Sequence, residues 1–250
     1  MPPFDLAGQP DAPPIVFLHG AAGTRHMWLP QMDALADEFR VIALDLPGHG
    51  AEARYPFRLD TAARDVVMVI DQHAHGRALL VGLSLGGYVA MAVAQRSPAH
   101  AAGLILSGSS IVYRGVLGGL ARLNALLLKL YSERWLTRMN KTTVRQMFPP
   151  ALAEPQIAAG FYWKAAGQGF GAIAGTDFHR ALRAYPGPVL ILNGAHDRLN
   201  RAGEAALAAA ARHAEVQIIT GAGHATNLEQ PEAFTAAVRA FAQARVFRSV

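Results

Sequence analysis

Short apolar runs recur along the chain, each followed by a stretch in which apolar positions return every three or four residues. The runs are Ile15 to Leu18, Val41 to Leu44, Ala78 to Val81, Ala102 to Leu106, Val189 to Leu192 and Val216 to Ile219. They are nearly continuous in Val, Ile and Leu, which predicts strands covered on both faces in a mostly parallel sheet. The helical patterns are Pro30 to Glu38, Leu59 to His73, Leu85 to Gln95, Ala202 to His213 and Pro231 to Ala244, the last with proline in its first turn. Strand and helix alternate up to residue 107 and again from 187, the order expected of an α/β fold with helices flanking a central sheet.

Residues 110 to 185 break that rhythm. Val116, Leu120, Leu123, Leu127 and Leu130 keep helical spacing, with Arg122, Lys129 and Glu133 as a narrow polar stripe. Pro149, Pro150 and Pro155 then interrupt, and Gly160, Gly167, Gly169, Gly171 and Gly175 loosen the remainder of the segment. The segment reads as a helical cap, 110–185, inserted into a core built from 1–109 and 186–250. No internal repeat is visible.

With 250 residues, 52% of them hydrophobic and 16% charged, the chain is long and apolar enough to bury one large core. The absence of cysteine removes disulfides, thiolate–zinc sites, iron–sulfur clusters and a thiol nucleophile, so any nucleophile is oxygen or nitrogen. A net charge of +5 would point to nucleic acid if it were spread over the chain. Instead, seven cations lie between Ile111 and Pro150 against one acid, Glu133, which leaves the rest near neutral. A local basic patch argues against nucleic acid; it would suit an acidic carrier protein or a membrane surface. The opening residues lack the basic and apolar regions of a secretory signal, so a cytoplasmic protein is expected. The longest uncharged run, Ala78 to Ala94, is short for a span and carries Gly82, Gly86 and Gly87, so no stable membrane insertion is expected.

Gly82-Leu83-Ser84-Leu85-Gly86 fits the Gly-x-Ser-x-Gly nucleophile elbow, a sharp strand-to-helix turn that leaves a serine hydroxyl exposed. Its setting is right, with an apolar run before it and a helix-compatible stretch after it. Asp197 stands just beyond the next-to-last predicted strand and His224 just beyond the last, with Asp177 as a rival acid. The order serine, aspartate, histidine is that of hydrolases built on this architecture. His73 and His75 have ligand-like spacing but no evident third ligand, so no metal site is expected.

Three further motifs complete a resemblance. His19-Gly20-Ala21-Ala22-Gly23 looks like an HG-x-x-G oxyanion loop, Asp45-Leu46-Pro47-Gly48-His49-Gly50 like a D-x-x-G-H-G turn, and Gly221 to Pro231 like a terminal histidine loop. Over nearly its whole length the chain resembles the α/β-hydrolase family, and specifically its small ester hydrolases and lactonase-like members with a helical cap. One departure is the short segment before Ile15, which has room for a single edge strand.

The resemblance implies that Ser84 attacks the substrate, that His224 takes and returns its proton, and that Asp197 orients the imidazole. The oxyanion hole would be the backbone N–H groups of Leu85 and, by carry-over, Ala21. The expected activity is cofactor-independent hydrolysis of a small carboxylic ester, lactone or thioester through an acyl-enzyme. Carbon–carbon bond hydrolysis, cleavage of a carrier-protein methyl ester, and a non-catalytic ligand receptor are the alternatives. The pocket should lie between sheet and cap and take a mainly apolar acyl or ring group. Leu120, Leu123, Leu127, Trp135 and Met139 are the candidate substrate contacts, with ordinary packing as the alternative reading of the leucine stripe. His19, His49 and Asp45 are expected to serve the turns they stand in, and His196 to be exposed.

Overall fold

The computed structural model describes residues 1–247, apart from the side chain of Lys129. Seven strands form one sheet in the order β1-β3-β2-β4-β5-β6-β7. They are β1 (Phe4–Ala7), β2 (Pro14–Leu18), β3 (Arg40–Leu44), β4 (Ala78–Leu83), β5 (Ala101–Ser107), β6 (Val189–Gly194) and β7 (Ala214–Ile219). Only β1 runs antiparallel, pairing with β3 along one edge, where the short segment ahead of Ile15 had room for it. The chain thus has the mostly parallel α/β architecture that its alternating pattern implied, and the α/β-hydrolase fold that its motifs resemble.

Eleven α-helices are described: α1 (Leu29–Leu35), α2 (Leu59–His73), α3 (Leu85–Arg96), α4 (Gly115–Leu130), α5 (Glu133–Met147), α6 (Pro150–Ala159), α7 (Trp163–Ile173), α8 (Phe178–Ala184), α9 (Arg198–Ala210), α10 (Thr226–Glu229) and α11 (Pro231–Phe241). Alternate residues of the central strands feed two cores. Val16, Leu18 and Leu80 pack with Val66, Ile70 and Val89 on one face; Ile15, Phe17 and Leu79 pack with Trp28, Leu35, Phe234 and Val238 on the other. Burial on both faces is why these strands read as unbroken apolar runs. Helix α3 is buried from Leu85 to Ala94 because it lies between the sheet and helices α2 and α8.

Two features of 110–185 differ from expectation. The leucine-spaced helix does not run through Glu133: it stops at Leu130, and Glu133 opens α5. Helix α8, counted with the cap by sequence, packs on α3, with Phe178 and Leu182 in the sheet's own core. The segment is tied to the sheet side where Tyr162 N–H donates to the carbonyl of Ala22 at 3.0 Å.

Candidate active site

The elbow follows from sterics. At Ser84 the backbone turns from β4 into α3 with φ +52° and ψ −116°, a conformation that costs a non-glycine residue about 1–3 kcal/mol. Surroundings hold it there. Ser84 N–H donates to Ser107 O (2.8 Å), and Ser84 O accepts from Gly87 N–H (3.0 Å) and from Ser109 Oγ (2.9 Å). The turn is so tight that a Cβ on Gly82 would come within 2.4 Å of Gly87 N, and one on Gly86 within 2.0 Å of Leu18 O. Both glycines are required by close approach of backbone to backbone.

Asp197 and His224 meet across the carboxyl ends of β6 and β7. His224 Nδ1 lies 2.7 Å from Asp197 Oδ2. Burial works against the charge on Asp197, but its bonds from His224 and from Asn200 outweigh that and hold the carboxyl below the usual carboxylate range. Asn200 donates Nδ2–H to Asp197 Oδ2 (2.8 Å) and its N–H to Oδ1 (3.3 Å), while its own Oδ1 accepts from Ser110 N–H (2.8 Å). Gly108, at φ +56°, lies under the ring, where a Cβ would approach His224 Nδ1 to 2.9 Å. Glu229 clamps the histidine loop from both sides, accepting from Gly223 N–H (2.6 Å) and Ala225 N–H (2.9 Å).

Ser84 and His224 line one cavity of about 350 Å³, together with the Gly20–Gly23 loop. Among the proposed oxyanion donors, Ala21 borders this cavity. Leu85 is the first residue of α3, where the amides have no partner within the helix. The Gly20–Gly23 loop is braced by Met27 Sδ, which accepts from Gly20 N–H, and by the left-handed backbone of Ala22. His19 lies wholly buried beside it, with Nε2 accepting from Leu46 N–H at 2.9 Å. Burial drives its pKa down to about 4, and the same cause, helped by the neighbouring His19, takes His49 to about 3. Both rings are therefore neutral at ordinary pH. Buried Asp45 accepts from Arg25 N–H and Ala51 N–H, tying its turn to the loop.

Other candidates lie elsewhere. Asp177 caps α8 by accepting from Arg180 N–H and pairs with Arg114, away from His224. His196 is exposed. Among the described residues no group of three or more His, Asp or Glu side chains is placed to hold a metal ion.

The expected substrate contacts need correction. Leu120, Leu123, Leu127, Trp135 and Met139 do not border the cavity; they face outward, between 38% and 55% exposed. The physical reason is the packing of α4, which lays its small residues Ala121 and Ala125 against α7 and turns the leucines away. The apolar wall is formed instead by Met27, Leu83, Val144, Phe148, Phe161 and Phe170. Asn200, Gly108 and Glu229 also escaped the sequence reading. The one signal for any of them was Asn200 three residues after Asp197, the spacing of a helix cap.

The fold and site describe a class of proteins built on a mostly parallel sheet in which a serine stands on a strand-to-helix elbow. A model of the alpha/beta hydrolase family matches residues 15–237, and the chain belongs to that family. The 3-oxoadipate enol-lactonase 2 of Acinetobacter baylyi is 27% identical over 245 residues, 93% of this chain and 90% of its own. The 2-succinyl-6-hydroxy-2,4-cyclohexadiene-1-carboxylate synthase of Salmonella paratyphi C is 28% identical over 244 residues, covering 90% and 92%. Among solved structures, a thermophilic esterase from Thermogutta terrifontis superposes with a TM-score of 0.80 at 26% identity, covering 96% and 92%.

Proposed function

We propose that the protein hydrolyses a small, uncharged carboxylic ester or lactone through an acyl-enzyme on Ser84. The observation that carries this reading is the 2.7 Å bond between His224 Nδ1 and Asp197 Oδ2, made at the rim of the cavity that Ser84 enters. His224 Nε2 takes the hydroxyl proton as Ser84 Oγ bonds to the carbonyl carbon, and the ionised Asp197 stabilises the imidazolium. The amides of Ala21 and Leu85 receive the oxyanion, each such donor being worth roughly 10²-fold in rate. Collapse of the adduct expels the alkoxide, which takes the proton from His224; water then repeats the sequence and frees the acid.

The described cavity wall contains no lysine or arginine, and its hydrogen-bonding side chains beyond Ser84 and His224 are Asn140, Thr143, Gln156 and the indole of Trp163. A carboxylate buried there would lack a counter-charge, which favours neutral substrates with an apolar acyl or ring group. A site of action in the cytoplasm is part of this reading. The resemblance to a cyclohexadiene-carboxylate synthase supports a second reading, in which the same His224 base serves a non-hydrolytic reaction.

A fluorophosphonate probe should label native protein at Ser84, and labelling should disappear in Ser84→Ala and after heat denaturation. Asp197→Asn should lower kcat on p-nitrophenyl butyrate by roughly 10³- to 10⁴-fold, since the histidine loses its orienting charge. Native protein that stays unlabelled would overturn the nucleophile assignment. Labelling at Ser84 without turnover of any ester or lactone would favour the second reading.

A further inference from the structure

The outer surface of the cap is unlike that of an ordinary water-soluble helix. Helix α4 turns Ala121, Ala125 and Leu128 inward, and most of its other apolar side chains outward: Val116 is 80% exposed, Leu130 74%, Leu120 55%, with Leu123, Leu126 and Leu127 also exposed. These side chains hold no hydrogen-bonding group. At the corner into α5 the exposed Tyr131 and Trp135 rings stack with centroids 5.6 Å apart, and Met139 comes one turn later. Contiguous apolar exposure on this scale marks a surface that meets something other than water.

Charge narrows the choice of partner. Arg134, Arg138, Lys141 and Arg145 recur at helical spacing along one flank of α5, beside the stripe formed by Trp135 and Met139. Arg145 is taken by Glu154, whereas Arg134, Arg138 and Lys141 form no ion pair among the described residues. A second copy docking through this face about a twofold axis would bring the same cations against themselves. A typical protein interface carries about one hydrogen bond per 100–200 Å², and the bare apolar face of α4 offers no side-chain group to make them. A lipid surface needs none. It accepts leucines into its acyl boundary, aromatic rings at its headgroup level and cations beside its phosphates.

We propose that the outer faces of α4 and the first turns of α5 rest peripherally on an anionic lipid surface, with Leu120, Leu123, Leu127 and Trp135 entering the interface and Arg134, Arg138 and Lys141 meeting lipid phosphates. Helix α4 has 16 residues, and no described helix is long and apolar enough to cross a membrane, so the contact is one of lying on the surface. The other side of α5 contributes Asn140, Thr143, Val144 and Met147 to the cavity. A docked cap would therefore hold the roof of the site against the lipid, from which an apolar ester can enter.

The test is vesicle co-sedimentation, which needs no knowledge of the substrate. The full chain should pellet with phosphatidylcholine vesicles containing phosphatidylglycerol, and much less with phosphatidylcholine alone or in molar salt. Each cation removed near an anionic surface weakens partition about fivefold, so the exposed double variant Arg134→Gln/Arg138→Gln should bind about 25-fold more weakly. Leu123→Ser/Leu127→Ser should lose binding with its circular dichroism and thermal melt unchanged. Trp135 emission should shift to the blue on vesicle addition, and Trp135→Phe should lack that shift. Four results would each overturn the proposal: no binding to either vesicle, equal binding to both, a stable dimer that buries Trp135 without lipid, or binding to an acidic carrier protein but not to lipid.

Discussion

Two carboxylates hold the His224 ring by different means. Asp197 meets the imidazole directly, while Glu229 never touches it and grips the amides of Gly223 and Ala225 on either side. In the proposed reaction Glu229 would thus act as a positioning residue. Glutamine in its place keeps the size but leaves one good acceptor for two donors, so the loop should shift by a fraction of an ångström. Because small misplacement of a base is amplified in rate, Glu229→Gln should reduce kcat on a neutral p-nitrophenyl ester roughly tenfold while KM stays within about twofold. A parallel fall in thermal stability with kcat unchanged would make its role purely structural. The tight turn at Ser84 and the meeting of Asp197 with His224 could be anticipated because glycine crowding and strand ends leave signatures in the chain. Glu229 and Asn200 could not, since nothing in the spacing says which acid or amide will reach a loop amide.

Helix α7 shows how a compositional signal can mislead. Gly167, Gly169 and Gly171 suggested a loosened segment, yet α7 is continuous from Trp163 to Ile173. The glycines are where neighbours come close: a Cβ at Gly167 would lie 3.2 Å from Ala125 O, and one at Gly169 2.7 Å from Leu85 Cδ2. Gly167→Val should push α4 off α7 at an overpacking cost of about 1–3 kcal/mol, read as a Tm several degrees lower by scanning calorimetry. An unchanged Tm would mean that α4 sits loosely there. Helical spacing of Leu120, Leu123 and Leu127 correctly places them on one face. Which face turns inward was decided by the partner: Ala125 and Leu128 of α4 meet Gly167 of α7, and Leu120, Leu123 and Leu127 are left outside.

Acid should unfold the protein earlier than its carboxylates alone would require. His19 and His49 stay neutral when folded, at pKa values of about 4 and about 3, whereas both would titrate near 6.5 in the unfolded chain. Between about pH 6.5 and 4 the unfolded state therefore binds more protons, and stability falls with pH by up to about 1.4 kcal/mol per unit for each histidine. Asp197, whose folded carboxyl titrates below its ordinary range, adds a further loss only at more acidic pH. Urea midpoints measured at pH 7.5, 6.0 and 5.0 should fall in that order, and His49→Phe should flatten the slope whatever its effect at pH 7.5. A variant with the wild-type slope would show that His49 is charged or solvated when folded.

The order of strands and helices, the elbow at Ser84 and the pairing of an acid and a base beyond the last two strands were present in the linear pattern, because backbone sterics and buried parallel strands act locally and write themselves into neighbouring residues. The lining of the cavity, the orientation of α4 and the clamps on the histidine loop came only with the folded chain. Each depends on which surfaces meet across long separations, and packing of that kind is settled by shape between partners that no short window of residues contains.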